Sequence, residues 1–303
     1  MRQRLVALFL TSFAVAACGA DGPYHLPFDA AVGDAPVNPP IDGSTDAASL
    51  DASTDTSAPP HDGGVVTDMI TIPAGAFMRG CNPDNDNKYQ CTDSQLDDEI
   101  PYESVTLSEY EIDLTEVVQE AYAECVAAGA CTLPSAVPGK LQEDAGYDPT
   151  VKPDHPVSNI SWAQARTYCL WRSKRLPTEA EWENAARGAD GRTYPWGDSV
   201  VTCDRANLGL CTGSGTHAVA THPDGASIYG VLDMAGNVME WVNDFYDETY
   251  YQTAPTTDPQ GPASGSHRVV RGGGFPHSSF SARVAGRSRY AAADYALGFR
   301  CAR

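Results

Sequence analysis

Two runs decide how this chain folds: Pro156-Val157-Ser158-Asn159-Ile160-Ser161-Trp162, and Arg175-Leu176-Pro177-Thr178-Glu179-Ala180-Glu181-Trp182-Glu183. Ser161 is followed three positions later by Gln164, and Thr178 by Glu181. This spacing is a capping box, in which side chain and backbone satisfy each other's otherwise orphaned groups at the start of a helix. Pro177 ahead of the second box and Gly188 beyond it bound a short helix. Two helices are therefore anchored by local chemistry alone.

Toward the N-terminus, Met69 to Pro73, a turn at Ala74-Gly75, and Ala76 to Gly80 read as a hairpin. Ser104 to Leu107 and Tyr110 to Asp113 read as further strands, and Thr115 to Ala127 as a helix closed by Gly129. Beyond Gly188, glycines, prolines and aromatics alternate with short apolar runs, the pattern of loops and short strands. No internal repeat is visible. The expected class is α+β with little regular structure, as one domain over 67–303.

Ahead of that domain the composition changes. Hydrophobic residues make up 42% of the 303-residue chain, but they are sparse between Gly19 and Val66, where Asp, Ala, Pro, Ser and Thr dominate and neither Lys nor Arg occurs. Such a stretch buries too little apolar surface to offset its ordering entropy, so 19–66 is expected to be a disordered acidic linker. The formal net charge of −20 argues against nucleic acid as a partner, because phosphate binding needs clustered Lys and Arg.

The first residues, Met1-Arg2-Gln3-Arg4, precede an apolar run from Leu5 to Ala17 and then Cys18. A basic start and a short apolar stretch make a signal peptide. Val15-Ala16-Ala17-Cys18 resembles the lipobox of bacterial lipoproteins, which implies a lipid on Cys18 and a membrane anchor. An ordinary cleavable leader with a coincidental cysteine is the alternative. Gly19 lacks the Asp that commonly signals inner-membrane retention, so the outer membrane is the expected address. Setting Cys18 aside leaves eight of the nine cysteines, an even number in an oxidising compartment. Close spacing suggests Cys81 with Cys91, Cys125 with Cys131 and Cys203 with Cys211, leaving Cys169 and Cys301 to close a long loop. No spacing resembles a zinc site.

The two opening runs recur with Tyr194-Pro195-Trp196-Gly197-Asp198, Tyr229-Gly230-Val231-Leu232-Asp233-Met234-Ala235-Gly236-Asn237-Val238-Met239-Glu240-Trp241, Arg271-Gly272-Gly273-Gly274-Phe275 and Gly298-Phe299-Arg300-Cys301. Together and in this order they resemble the formylglycine-generating enzymes, the sulfatase-modifying-factor family, across about Asp68 to Arg303. The resemblance implies a variant of the C-type-lectin-like fold and a disulfide between Cys169 and Cys301. A second family disulfide would fall at Ala186 and Val284, where packing replaces it. It also implies structural calcium held by Asp233 and Glu240 side chains and Gly236 and Val238 carbonyls, hard oxygen donors of the kind Ca²⁺ prefers. Asn207 and Leu208 match half of a second calcium site, whose acidic half falls near Cys211-Thr212-Gly213 and is altered. Arg175, Glu179 and Glu181 are expected to act as scaffold, and Trp162, Trp182, Trp196 and Trp241 as core.

The match fails where the family's chemistry resides. Those enzymes carry two cysteines shortly after the Arg-Gly-Gly motif to hold copper, and thiolates suit Cu(I). Here the segment reads Gly274-Phe275-Pro276-His277-Ser278-Ser279-Phe280-Ser281. It contains no cysteine, so copper is not expected, and His277 is the one good ligand left in the loop. Three readings follow: a monomeric non-copper relative binding a peptide, protein or other ligand; an enzyme of different chemistry, since relatives include iron-dependent and tautomerising members; and a true formylglycine-generating oxidase, which the missing thiolates oppose. Binding is preferred, with Arg271, Phe275, His277, Arg283, Arg287 and Arg289 as the candidate groove. The alternation of Arg283, Arg287 and Arg289 with small residues suits carboxylate or phosphate ligands, and suits internal pairs with Asp and Glu equally well.

Overall fold

A computed structural model describes residues 68–85, 91, 94–135, 146–211 and 215–303. The leader with Cys18, the acidic linker and Thr212-Gly213 lie outside the described residues. No described helix is long and apolar enough to cross a membrane.

Strand β1 (Met69–Ile72) pairs antiparallel with β4 (Tyr110–Asp113), and β2 (Gly75–Arg79) with β3 (Glu103–Leu107). The hairpin expected between Met69 to Pro73 and Ala76 to Gly80 therefore does not form. Ile72 lies opposite Tyr110 and Gly75 opposite Leu107, so one register runs through both ladders. The four strands make a single bent ribbon, interrupted where Pro73 has no N–H to donate. Asp258 takes over at the facing bend, where its carboxylate accepts the Ser108 N–H at 2.7 Å and the Ser108 hydroxyl at 2.8 Å.

Helix α1 (Gln119–Ala127) starts four residues later than Thr115. The intervening backbone is already committed: the Val117 N–H donates to the Phe299 carbonyl at 3.0 Å, and the Val117 carbonyl accepts the Val157 N–H at 2.8 Å. No side chain caps this helix. Its first N–H groups, those of Gln119 and Glu120, donate instead to the carbonyls of His155 and Pro153. Non-local bonds thus set a boundary that local propensity puts elsewhere.

Helices α2 (Trp162–Trp171) and α3 (Glu179–Arg187) begin as their capping boxes require. The Thr178 hydroxyl accepts the Glu181 N–H at 3.2 Å, and the Glu181 carboxylate accepts the Thr178 N–H at 2.8 Å. Arg175 grips the same carboxylate through two bonds of 2.6 and 2.7 Å, a scaffold role. Gly188 closes α3 at φ 68°, in the left-handed region.

The remaining strands, β5 (Met239–Phe245), β6 (Arg268–Arg271), β7 (Ser288–Tyr290) and β8 (Leu297–Phe299), form a sheet in the order β7-β6-β5-β8, with only β5 and β8 parallel. One apolar core joins this sheet to α1 and α2 through Tyr122, Tyr168, Trp241 and Phe299. A second packs the ribbon against α3 around Phe77, Ile112 and Trp182. Ala186 and Val284 are fully buried in this second core, which is ordinary packing. Trp182 and Trp241 are buried, and Trp162 and Trp196 partly so.

Four disulfides are present: Cys81–Cys91, Cys125–Cys131, Cys169–Cys301 and Cys203–Cys211. The longest spans 132 residues and fastens the C-terminal strand to α2. Beside it the Cys301 N–H donates to the Asp113 carboxylate at 2.9 Å.

Candidate functional site

The loop after β6 is built on Arg271. Its guanidinium is fully buried, donating to Glu183 at 2.6 Å and to the carbonyls of Val284, Ala285 and Gly286 at 2.7 to 3.0 Å. Gly272 follows at φ 88°, where a side chain would meet the Trp182 ring. At Gly274 a Cβ would stand 3.1 Å from the Met239 nitrogen and 3.2 Å from the Ala296 carbonyl. The Arg-Gly-Gly-Gly run therefore lets backbone cross directly over the ends of β5 and β8.

What this crossing presents is Phe275 and His277. Phe275 is half-buried, meets Tyr295 edge-on with ring centres 5.7 Å apart, and donates its N–H to the Asn237 carbonyl at 2.8 Å. His277 accepts the Gly274 N–H on Nδ1 at 3.1 Å, and its carbonyl accepts the Gly209 N–H at 2.8 Å. Burial holds its imidazole below the usual range, while the charge of Asp294 acts in the opposite sense. Its ring is thus fixed and neutral near pH 7. Ser278 is exposed, and Ser279 and Ser281 are partly so.

The arginines do not join this surface. Arg283 is buried against Glu99 in a two-bond pair of 2.8 and 2.6 Å. Arg287 is bound to Glu179 by bonds of 2.7 and 3.0 Å, with its side chain inaccessible. With Arg271 they form internal ion pairs, and burial denies all three to a ligand; the expectation that they line a groove is corrected accordingly. Arg289 is exposed but stands elsewhere, lining an open depression of about 380 Å³ with Tyr246, Asp247, Glu248, Ser266 and His267. Of the six groove residues, only Phe275 and His277 are partly accessible in the loop after β6.

Beneath the loop lies the segment from Asp233 to Glu240. Glu240 is fully buried, bonded by Arg300 and, at 2.9 Å, by the Trp182 indole N–H. Asp233 sits at φ 57° and accepts the Ala220 N–H at 2.7 Å. A third carboxylate, Glu116, accepts the Asn237 side-chain amide at 3.0 Å and the Val238 N–H at 3.2 Å. Burial, then the charges of Asp233 and Glu240, push Glu116 well above the usual carboxylate range. Burial likewise raises Asp233. Three buried acids thus share the single guanidinium of Arg300. Glu116 was not legible as part of this group, because its neighbours suggest a helix and its partners lie more than a hundred residues away. Among the described residues, no three His, Cys, Asp or Glu side chains are arranged to hold a metal ion.

At the second expected calcium position, the Asn207 amide donates to the Gly215 carbonyl at 3.0 Å, and the Leu208 carbonyl accepts the Cys211 N–H at 2.8 Å. The Cys203–Cys211 bridge closes this loop covalently. For Cu(I) at this loop the donor set does not fit. The loop at 276–281 holds no sulfur, and all eight cysteines from Cys81 onward are consumed in disulfides.

This architecture matches the Sulfatase-modifying factor enzyme 1-like domain, whose family profile aligns with residues 55–303. The chain belongs to the sulfatase-modifying-factor family. Its domain is 35% identical over 291 residues to the formylglycine-generating enzyme of Thermomonospora curvata, covering 77% of this chain and 92% of that one. To the formylglycine-generating enzyme of Streptomyces coelicolor it is 43% identical over 177 residues, covering 53% of this chain and only 56% of that enzyme. Among solved structures, PvdO from Pseudomonas aeruginosa superposes with a TM-score of 0.62 at 25% identity, covering 78% of this chain and 93% of that one. This sulfatase-modifying-factor domain thus keeps the family scaffold while its loop at 276–281 carries no thiolate.

Proposed function

We propose that this domain is a non-copper member of its family that binds a peptide on the face made by Phe275, His277 and Tyr295, as a module held to the bacterial envelope through a lipid on Cys18. The observation that carries the reading is the pairing of all eight cysteines from Cys81 onward in disulfides, with only Pro, His, Ser and Phe in the loop at 276–281. A serine hydroxyl is a hard, weakly acidic ligand that stays protonated near neutral pH, so it does not substitute for a thiolate on Cu(I). What remains at the loop is an aromatic pair and an imidazole, groups that can contact a peptide.

Calcium completes the reading. Asp233 and Glu240 would supply side-chain oxygens, and Gly236 and Val238 carbonyls, with the ion stiffening the turn beneath the loop. The excess of buried carboxylate around Arg300 supports an oxygen-bound cation there. The Asn207 and Leu208 position is bridged by a disulfide and needs no ion for closure.

The test is a fluorescence-anisotropy titration of the full chain with a labelled sulfatase peptide, in its cysteine form and with that cysteine replaced by alanine. The reading expects saturable binding of both forms, weakened at least tenfold by Phe275→Ala or His277→Ala. Binding unaffected by either substitution contradicts it. Metal analysis of the purified chain showing stoichiometric iron would favour an enzyme of different chemistry instead.

A further inference from the structure

Outside the loop just described, two histidines five residues apart meet edge to edge. The Nδ1 of His217 and the Nε2 of His222 are 3.0 Å apart, with ring planes within 20° and ring centres 5.2 Å apart. The centre separation about equals the N···N distance plus the two ring radii, its geometric maximum, so the nitrogens point at each other edge to edge. We propose that His217 and His222 form a two-imidazole site for a borderline divalent transition-metal ion such as Cu²⁺, Ni²⁺ or Zn²⁺.

The spacing suits such an ion. Two nitrogens each bound at roughly 2.0–2.1 Å lie about 2.9 Å apart at a right angle and about 3.3 Å apart at the tetrahedral angle. The observed separation falls between these, and a turn of each ring by roughly 35–45° about its Cβ–Cγ bond aims both lone pairs at one ion. The proton now shared between the rings moves to the donor ring's other nitrogen, and both ligands stay neutral.

The two backbones are fixed in advance. The His217 N–H donates to the Asn237 side-chain oxygen at 2.9 Å, and its carbonyl accepts the Asn237 amide at 3.3 Å. The His222 carbonyl accepts the Gly225 N–H at 2.9 Å. Between them Ala220 adopts a left-handed φ of 61°, and this turn brings the rings together. Burial, followed by the charge of His222, holds the His217 imidazole below its usual range, so the ligating neutral form prevails near pH 7.

His155 stands nearby but spends its Nδ1 on the Thr216 hydroxyl at 2.9 Å. No third His, Cys, Asp or Glu side chain among the described residues completes the set, so water or an incoming ligand fills the other positions. His217 is partly exposed, which gives the ion a route in. Imidazole nitrogen prefers these borderline ions, whereas calcium takes oxygen donors, so the pair and the Asp233 segment do not compete.

The test uses the full chain without a polyhistidine tag, titrated with Cu²⁺ alone and followed by calorimetry and electron paramagnetic resonance. One Cu²⁺ per chain is expected, with hyperfine coupling from two imidazole nitrogens. His217→Ala and His222→Ala should each weaken binding at least tenfold, and His155→Ala and His267→Ala should change it by less than twofold. His222→Gln serves where the alanine variant fails to fold, since its amide can still bond the His217 ring. Equal affinity in wild type and the His217 and His222 variants, or a spectrum without two imidazole nitrogens, overturns the proposal.

Discussion

Arg300 holds Glu240 through two parallel bonds, Nε to Oε2 at 2.7 Å and Nη2 to Oε1 at 2.8 Å, with neither side chain reaching solvent. The same guanidinium donates to the carbonyls of Asp113, Leu114 and Leu232. One side chain near the C-terminus thus ties β4, the segment from Leu232 to Glu240 and β8 together. Removing it leaves Glu240 buried without a cation, beside Glu116 and Asp233. Arg300→Met should cost roughly 3–5 kcal/mol in urea unfolding, the range for breaking a buried pair from one side. A loss below about 1 kcal/mol would show that the pair is dispensable.

The disulfides should rank by the loops they close. In the chain-entropy treatment the 132-residue Cys169–Cys301 loop stabilises by roughly 5 kcal/mol, and the 8-residue Cys203–Cys211 loop by roughly 2.5 kcal/mol. Paired Cys→Ala variants compared by urea midpoint should show the larger loss for the long loop. The reverse order would mean that native packing, rather than constraint of the unfolded chain, decides their worth.

Stability should fall between about pH 4 and pH 8 through Asp244. Burial, with the Glu179 charge adding to it, pushes this carboxyl up from 3.8 to about 8. The folded state therefore keeps a proton that the unfolded chain releases near pH 4. The contribution is whole below that point, declines as pH rises, and is gone above pH 8. Glu179 works in the opposite sense: burial raises it, but Arg287 and Arg271 outweigh burial and lower it, so its contribution is lost only as pH falls through the acid range. Asp244→Asn keeps an acceptor for the Glu179 N–H and should flatten the stability profile from pH 5 to 8. An unchanged slope contradicts the assignment.

Calcium should stabilise the full chain by mass action, by about 2.7 kcal/mol at a free concentration a hundredfold above Kd. Asp233→Asn should abolish that increment while Asn207→Ala leaves most of it. Thermal melts in calcium and in chelator report both, and an increment that survives Asp233→Asn would remove the ion from this segment.

How much of this was readable in the residues follows from the range of each interaction. The boxes at Ser161 and Thr178 are closed within three residues, so their sequence spacing is their geometry. Cys81, Cys125 and Cys203 find partners within ten residues, which again makes proximity a guide. The ribbon was misread because alternation marks a strand without naming its neighbour, and Pro73 reads alike as a turn and as a gap in a ladder. The arginines were ambiguous for the same reason. Arg283 meets Glu99 across 184 residues and Arg287 meets Glu179 across 108, distances over which composition gives no pairing.

A face without sulfur donors has nothing to hold Cu(I), so this chain is expected not to oxidise a cysteine by copper chemistry. The most direct measurement is mass spectrometry of a cysteine-containing sulfatase peptide incubated with the full chain, Cu(I) and oxygen, beside an active formylglycine-generating enzyme as reference. The peptide should leave the full-chain reaction unchanged while the reference converts it to the aldehyde. Aldehyde formed by this chain above the protein-free background would contradict the account.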